Sequence, residues 1–282
     1  MTHSGIAKQL YFSEKTIMSN ICIIGCGNIG YSMAQGFVNS ADFNNQRLSV
    51  TARKGKPLSN LQNLNVKVTN DNIYAISGAE IVIIAVKPHD FNGVITEIAP
   101  HIQDKILVSV VAGLSIKQIK KDVPTSVQVF RAMPNTASKF GETITCLCSD
   151  SIDQPSFEKV EKLFHSIGRT IIINESLMDA ATVLGACGVA FVMRFIRAMV
   201  QGGIQIGFSS EDAKTIVTQT VKGAAELLLE GGMHPEAEID KVTTPKGCTI
   251  VGLNEMEHNG FSSALIKGII ESYKEINSGK VN

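Results

Sequence analysis

The sequence predicts an α/β fold: an N-terminal doubly wound parallel sheet over residues 18–174, followed by an all-α helical domain over residues 175–282. Three observations predict it. Short apolar runs of strand length alternate with helix-length segments through the first part, the pattern of a parallel sheet with helical crossovers. The first run, Ile21 to Ile24, leads straight into Gly25, Gly27 and Gly30 at the spacing G-x-G-x-x-G, and a helical stretch from Tyr31 to Asn39 follows. From Leu177 onward no convincing strand remains, and helical segments are separated by short breaks at Gly207–Ser210, Gly231–Pro235 and Thr244–Gly247.

Each glycine of the first turn has a physical reason to be there. The first makes the tight turn, the second lets the backbone approach a pyrophosphate, and the third lets helix and strand pack closely. The new helix presents unpaired N–H groups and a positive dipole end to phosphates. As a bare pattern the triplet serves tight strand–helix packing equally well; the strand before it and the helix after it favour a dinucleotide site.

Arg47 to Ala52 reads as the second strand, and its end lacks the acidic residue that would hold a ribose 2′-hydroxyl. Thr51, Arg53 and Lys54 stand there instead, a hydroxyl and two cations suited to the 2′-phosphate of NADP(H), with NAD(H) as the weaker alternative. A solvated basic turn is the competing reading. Val66 to Val68 is a short strand, and Asn70–Asp71–Asn72 a helix cap. Ala79 to Val86 is a buried strand ending in Lys87–Pro88; Ile106 to Val110 is broken by Ala112–Gly113; Val127 to Phe130 runs into the polar turn Arg131 to Thr136. Three strand ends thus deliver small or polar residues to one crevice, where ligands of open α/β sheets collect. Thr143 to Cys148, a helix from Asp153 to Ser166, and Thr170 to Ile173 complete the sheet.

Composition sets the outer limits. The chain of 282 residues is 44% hydrophobic and 18% charged, enough to build a substantial core. Its 26 basic and 26 acidic residues cancel, leaving no global field for nucleic acid or an anionic membrane. The six cysteines form no C-x-x-C pair and have no histidines at zinc spacing, so reduced thiols in a cytoplasm and no metal site are expected. Met1 to Ile17 lacks the apolar run of a signal peptide; Met18 is expected to be the functional start, with a dispensable tail before it. The window Ala180 to Val200 carries Arg194 and Arg197 and reads as too short and too charged to span a bilayer. The helix around it, Met178 to Ile206, is apolar or small nearly all round, and a domain of this size has little interior in which to bury it. A second subunit is the expected cover.

The stretches Ala85–Val86–Lys87–Pro88, Arg131–Ala132–Met133–Pro134–Asn135–Thr136 and above all Asp240 to Leu253, DKVTTPKGCTIVGL, resemble the pyrroline-5-carboxylate reductases, and the resemblance runs from about Ser19 to Glu275. It implies a Rossmann domain followed by a helical domain that interlocks with a second subunit, in a homodimer or larger homo-oligomer. It also implies NADPH-dependent reduction of a cyclic imine. The resemblance places Cys26, Asn28 and Ile29 on the pyrophosphate and ribose, and Asn72, Val86, Lys87 and Ala112 in the rest of the cofactor cleft. Cys248 and Thr249 fall on positions that hold the substrate. Lys246 departs from the family's usual Thr/Ser-Pro-Gly-Gly-x-Thr turn, where it replaces the first glycine.

In that turn Pro245 fixes its own φ, and Gly247 is expected to adopt a conformation closed to other residues. N–H groups from Gly247 to Thr249 would then point outward as a carboxylate site, with the Thr249 hydroxyl meeting the ring nitrogen. Alternatively Thr249 merely caps its helix. Two rival functions remain. A β-hydroxyacid-type NADP dehydrogenase would carry a catalytic lysine on the long helix opening the second domain, and Met178 to Ile206 has none. A non-catalytic NADP-binding sensor or scaffold would have no use for the turn at Thr244 to Thr249.

Overall fold

Four consecutive aliphatic or thiol side chains, Ile21–Ile24, make the strand β1, and all four are buried. A strand covered on both faces is the mark of the middle of a parallel sheet with helices on either side. The computed structural model describes residues 17, 19–53, 58–151 and 153–278. β1 is joined by β2 (Leu48–Thr51), β3 (Lys67–Thr69), β4 (Ile81–Ile84), β5 (Ile106–Ser109), β6 (Gln128–Met133), β7 (Thr143–Ser149) and β8 (Gly168–Ile172) in one sheet of order β3-β2-β1-β4-β5-β6-β7-β8. Strand order reverses between β1 and β4, and a ligand crevice is expected at the carboxyl ends there.

The sheet is not wholly parallel. β6 and β7 pair antiparallel, with Arg131 opposite Cys148, and β7 and β8 are parallel to each other. The link from Pro134 to Glu142 holds only a 3₁₀ turn, Thr136–Phe140, too short for the crossover of about a dozen residues that a parallel return needs. β6 also runs on through Met133, so Arg131 to Met133 are strand rather than the expected turn.

Helices fill the connections: α1 (Asn28–Asn39), α2 (Ser59–Gln62), α3 (Asn72–Ile76), α4 (Pro88–Ile98), α5 (Ile116–Ile119) and α6 (Gln154–His165). α1 begins a turn earlier than the expected Tyr31, directly on the glycine loop. Asp71 caps α3 by accepting from the Tyr74 N–H at 2.9 Å, as expected of that segment. The core on one side gathers Phe37, Phe43 and Phe164, with ring centroids 5.6 and 6.4 Å from Phe37. Ile17 belongs to this core: it is buried and its N–H donates to the Asp42 carbonyl at 2.7 Å, so the expected tail does not extend to it. Residues 1–16 and Met18, the expected start, lie outside the described residues.

Beyond β8 the chain continues into α7 (Met178–Ala181), a π-helical turn Thr182–Cys187, and α8 (Gly188–Gln205). The first compact unit reaches Gly185 and the second begins at Ala186, later than the expected 174/175. The residues after β8 are tied to the sheet. Glu175 Oε1 accepts from the Ile116 N–H at 2.6 Å and from Arg131 Nη1 at 3.2 Å, and Asn135 Nδ2 donates to the Gly185 carbonyl at 3.0 Å.

The second unit consists of helices: α8, α9 (Ser210–Gly231), α10 (Pro235–Lys241), α11 (Cys248–His258) and α12 (Phe261–Asn277). Its buried apolar cluster, among the described residues, is Val200, Ala213 and Val217, while Val192, Met193, Leu227 and Ile266 are exposed. The helical run Glu175–Gln205 has 31 residues and a mean hydropathy of 1.8 in its most apolar window, of which 11% is buried. By length and composition it does suffice to cross a membrane, contrary to the expectation from Ala180 to Val200 alone.

One helical glycine tests how tightly α1 lies on the β6–β7 link. A Cβ on Gly36 would stand 2.2 Å from the Ser138 carbonyl oxygen. Gly36→Ala gains about 1 kcal/mol of helix propensity, but overpacking against backbone costs about 1–3 kcal/mol. The urea midpoint is expected to fall; a rise would show that the link yields freely.

Candidate functional site

The first candidate site lies at the carboxyl ends of β1, β2 and β4, a cleft of about 730 Å³, within the range of cofactor sites. The glycine loop builds its floor. Gly25 has φ +93°, and a Cβ there would meet Val86 Cγ1 at 2.6 Å. A Cβ on Gly30 would stand 2.2 Å from the Gly25 carbonyl oxygen, so α1 rests backbone to backbone on the turn. A Cβ on Gly27 would meet nothing within 4 Å, and Gly27 lines the cleft. Open space over the middle glycine is what a diphosphate needs in order to approach the chain.

The amides divide into two groups. Those of Gly25 and Cys26 donate to the Thr51 carbonyl at 3.2 and 2.8 Å, and that of Gly27 to the Gly25 carbonyl at 2.9 Å. Cys26, which the resemblance places on the pyrophosphate or ribose, is buried and lines the cleft, while its amide ties the loop to β2. Thr51 is equally committed, buried with its hydroxyl 3.4 Å from the Gly25 N–H. Asn28, Ile29 and Gly30 open α1 behind the N-cap Gly27, which has no side-chain cap. Their N–H groups have no acceptor within the helix and form its anion-binding end.

Arg53, Asn72, Val86 and Lys87 line the same cleft, as expected; Ala112, beyond β5, does not. Lys54 lies outside the described residues. Thr136, from the polar turn after β6, also lines the cleft, and so do two residues that the sequence did not announce, Asp90 and Glu97 of α4. Arg53 is paired with Asp90, whose carboxylate lies 3.6 Å from His89 Nε2. Glu97 accepts from Asn72 Nδ2 at 2.8 Å. Neither acid sits at the end of a strand, where sequence reasoning looks for a ribose ligand. α4 carries both to the wall.

The second candidate site, in the helical unit, is the turn Thr244–Thr249. Here Lys246, not Gly247, is left-handed, with φ +60°. Gly247 is extended (φ −72°, ψ 158°) and N-caps α11. Its need for glycine is one of space, since a Cβ would stand 2.5 Å from Thr244 Oγ1 and 3.0 Å from the Thr244 carbonyl. Its N–H closes the turn onto that carbonyl at 2.9 Å, so it does not point outward as expected. Thr249 is the second residue of α11 and does not cap it. The amides of Cys248 and Thr249 open that helix, beside an exposed Cys248 thiol.

No disulfide joins any of the six cysteines. Burial pushes the thiols of Cys22 and Cys148 up to about 11 and raises those of Cys146 and Cys187, which keeps them protonated at neutral pH. Among the described residues no group of three or more His, Cys, Asp or Glu is placed to hold a metal ion.

Comparison with known proteins gives these sites a context. Residues 175–278 match the family model for pyrroline-5-carboxylate reductase dimerisation, and residues 20–113 that for NADP oxidoreductase, coenzyme F420-dependent. Pyrroline-5-carboxylate reductase 1 of Dictyostelium discoideum is 43% identical over 90% of this chain, which spans 48% of that protein's length. Pyrroline-5-carboxylate reductase 2 of the same organism is 41% identical over 90% of each chain. The crystal structure of a Plasmodium falciparum pyrroline carboxylate reductase with NADP bound superposes with a TM-score of 0.85, at 26% identity over 93% of this chain and 98% of that one.

The open face of Gly27 yields a test of the cleft. Gly27→Ala adds a methyl group that meets no protein atom, so the melting temperature is expected to stay unchanged. Loss of close backbone approach should weaken NADPH binding at least about tenfold, read by the cofactor's own fluorescence. Undiminished binding would remove this loop as the diphosphate site.

Proposed function

The chain belongs to the pyrroline-5-carboxylate reductase family, and we propose on that premise that it reduces the C=N bond of 1-pyrroline-5-carboxylate to give L-proline, using NADPH and, more weakly, NADH. The observation that carries this reading is the pairing, in one chain, of a glycine cleft open over Gly27 with a turn whose helix presents the Cys248 and Thr249 amides. When bound, the reduced nicotinamide supplies the hydride. The protein's own part is placement. Asn28 and Ile29 hold diphosphate through their amides, and Val86 and Lys87 line the cleft. The amides of Cys248 and Thr249 receive the substrate carboxylate, helped by the dipole of α11. The Thr249 hydroxyl meets the ring nitrogen. A cyclic imine arrives already protonated on nitrogen, so addition of hydride to carbon needs orientation and no proton donor from the protein.

A β-hydroxyacid-type dehydrogenase needs an acid to protonate the alkoxide, and Met178–Gln205 offers Arg194 and Arg197 but no lysine. A silent NADP sensor would leave the turn without purpose. NADPH oxidation followed with pyrroline-5-carboxylate as acceptor separates all three readings: binding without oxidation supports the sensor, and oxidation with a β-keto acid alone supports the dehydrogenase.

The assembly we propose is a homodimer or larger homo-oligomer in the cytoplasm, where six cysteines without a disulfide suit a reducing compartment. α8 buries only Val200 within the protomer and α12 buries none of its described side chains, although both carry apolar faces. A second copy of the chain would cover them.

Two variants test these parts. Thr249→Val keeps the shape and deletes the hydroxyl, and loss of that hydrogen bond should cost about 1–3 kcal/mol in kcat/KM for the imine, with cofactor affinity and melting temperature nearly unchanged. A normal rate would leave Thr249 without a part in placement. Ala190 is exposed in the protomer, so Ala190→Asp harms nothing within one chain but puts a charge into the proposed interface. Light scattering should show monomers, and activity should disappear with assembly; an active monomer would refute the interface.

A further inference from the structure

Two cations, Arg53 and Lys87, and two carboxylates, Asp90 and Glu97, are the charged residues lining the cofactor cleft among the described residues. They cancel. Among the described residues, the charge that Arg53 brings to the end of β2 is thus matched by carboxylates of α4. Glu97 is engaged by Asn72. Asp90 is the carboxylate set directly on the cation expected to read the 2′-phosphate. Its Oδ2 meets Arg53 Nη2, and their side chains are 30% and 81% exposed.

The consequences for the two cofactors are opposite. A 2′-phosphate carries nearly two negative charges and must take or share the guanidinium that Asp90 already holds, at the cost of bringing like charges together. A ribose 2′-hydroxyl is a hydrogen-bond donor, and a carboxylate is the acceptor that NAD sites ordinarily supply from the end of the second strand. This chain lacks an acid there and delivers one from the first turn of α4 instead, 37 residues further along the chain than Arg53.

We propose that Asp90 is a cofactor-selecting residue, which competes with the 2′-phosphate for Arg53 and so narrows the preference for NADPH over NADH. The proposal rests on the reductase reading above and deepens its cofactor assignment. Arg53 is mostly solvent-exposed, so the effect is modest, a few-fold in affinity.

The test is direct titration of the whole protein with NADPH and with NADH. The chain contains no Trp, which leaves the fluorescence of the reduced nicotinamide as a clean signal. In Asp90→Asn the Kd for NADPH should fall about two- to fivefold. The Kd for NADH should hold or rise, so that the NADH/NADPH ratio increases. Arg53→Ala should move the ratio the other way. In the Arg53→Ala background, Asp90→Asn should change the ratio less, because the group in contention is gone. A ratio that stays constant or falls in Asp90→Asn, or one that changes equally in both backgrounds, would overturn the role of Asp90. Proline formation, measured separately on the same variants, reports on the reductase reading itself; its persistence alongside an unmoved ratio would discard only the selector.

Discussion

The contact on which the nucleotide half depends is backbone against backbone, where Gly30 in α1 rests on the carbonyl of Gly25. A single methyl group at Gly30 would overlap that oxygen at 2.2 Å, so the start of α1 holds its place only while both positions are free of side chains. The same turn is drawn toward β2 by the Thr51 carbonyl, which collects the N–H groups of Gly25 and Cys26. These bonds settle which amides remain for a ligand. Three are consumed in shaping the loop, and those of the first turn of α1 are left facing a cleft that no other acceptor fills. At the far end of α1, Gly36 comes as close to Ser138 as Gly30 does to Gly25. One helix is thereby fixed at two points by absent side chains, and the cleft inherits its rigidity from that.

Features that depend on local chain geometry were legible in the sequence. Buried strands, the glycine turn, the Asp71 cap and the breaks between the later helices all follow from short-range sterics and periodicity. Features that depend on chain separation were not. The antiparallel turn of β7 follows from the length of a link, yet the run of apolar segments looks the same in either direction. Asp90 sits beyond Lys87–Pro88, in what reads as an ordinary helix start, and only the strand order β2-β1-β4 brings it near Arg53. The sequence predicts a basic ribose end because it shows β2 alone; among the described residues the folded cleft also carries Asp90 and Glu97, because α4 is its other wall.

The helical unit makes a related point about hydropathy. The run Glu175–Gln205 has the length and composition of a membrane span. A protein interface requires the same apolar area, and composition cannot tell lipid from a second subunit. Here the match to a dimerisation family over residues 175–278 supports a second subunit as the cover. Among the described residues, α8 and α9 bury Val200, Ala213 and Val217 against each other, with Ile196 and Val221 at their edge. A cluster of that size cannot outweigh the entropy of ordering five helices. If this half gains its cover from a second subunit, its stability is expected to depend on protein concentration.

The turn Thr244–Thr249 shows how a departure from a family pattern is to be weighed. Lys246 replaces a glycine usual in the family, and it occupies the one left-handed position in the turn, where a residue with a Cβ costs about 1–2 kcal/mol. Gly247 keeps its glycine for a different reason, the 2.5 Å approach of Thr244 Oγ1. The two adjacent positions thus answer to different constraints, one conformational and one steric. Only the conformational one tolerates substitution, because a strained φ costs a bounded amount while overlapping atoms require the turn to move. The closing bond from the Gly247 N–H to the Thr244 carbonyl survives the exchange, and the amides of Cys248 and Thr249 remain at the start of α11. The geometry that would hold a carboxylate is retained at a cost in stability. The lysine brought in by the same change adds an exposed cation two residues before the first of those amides, where an anion gains from it.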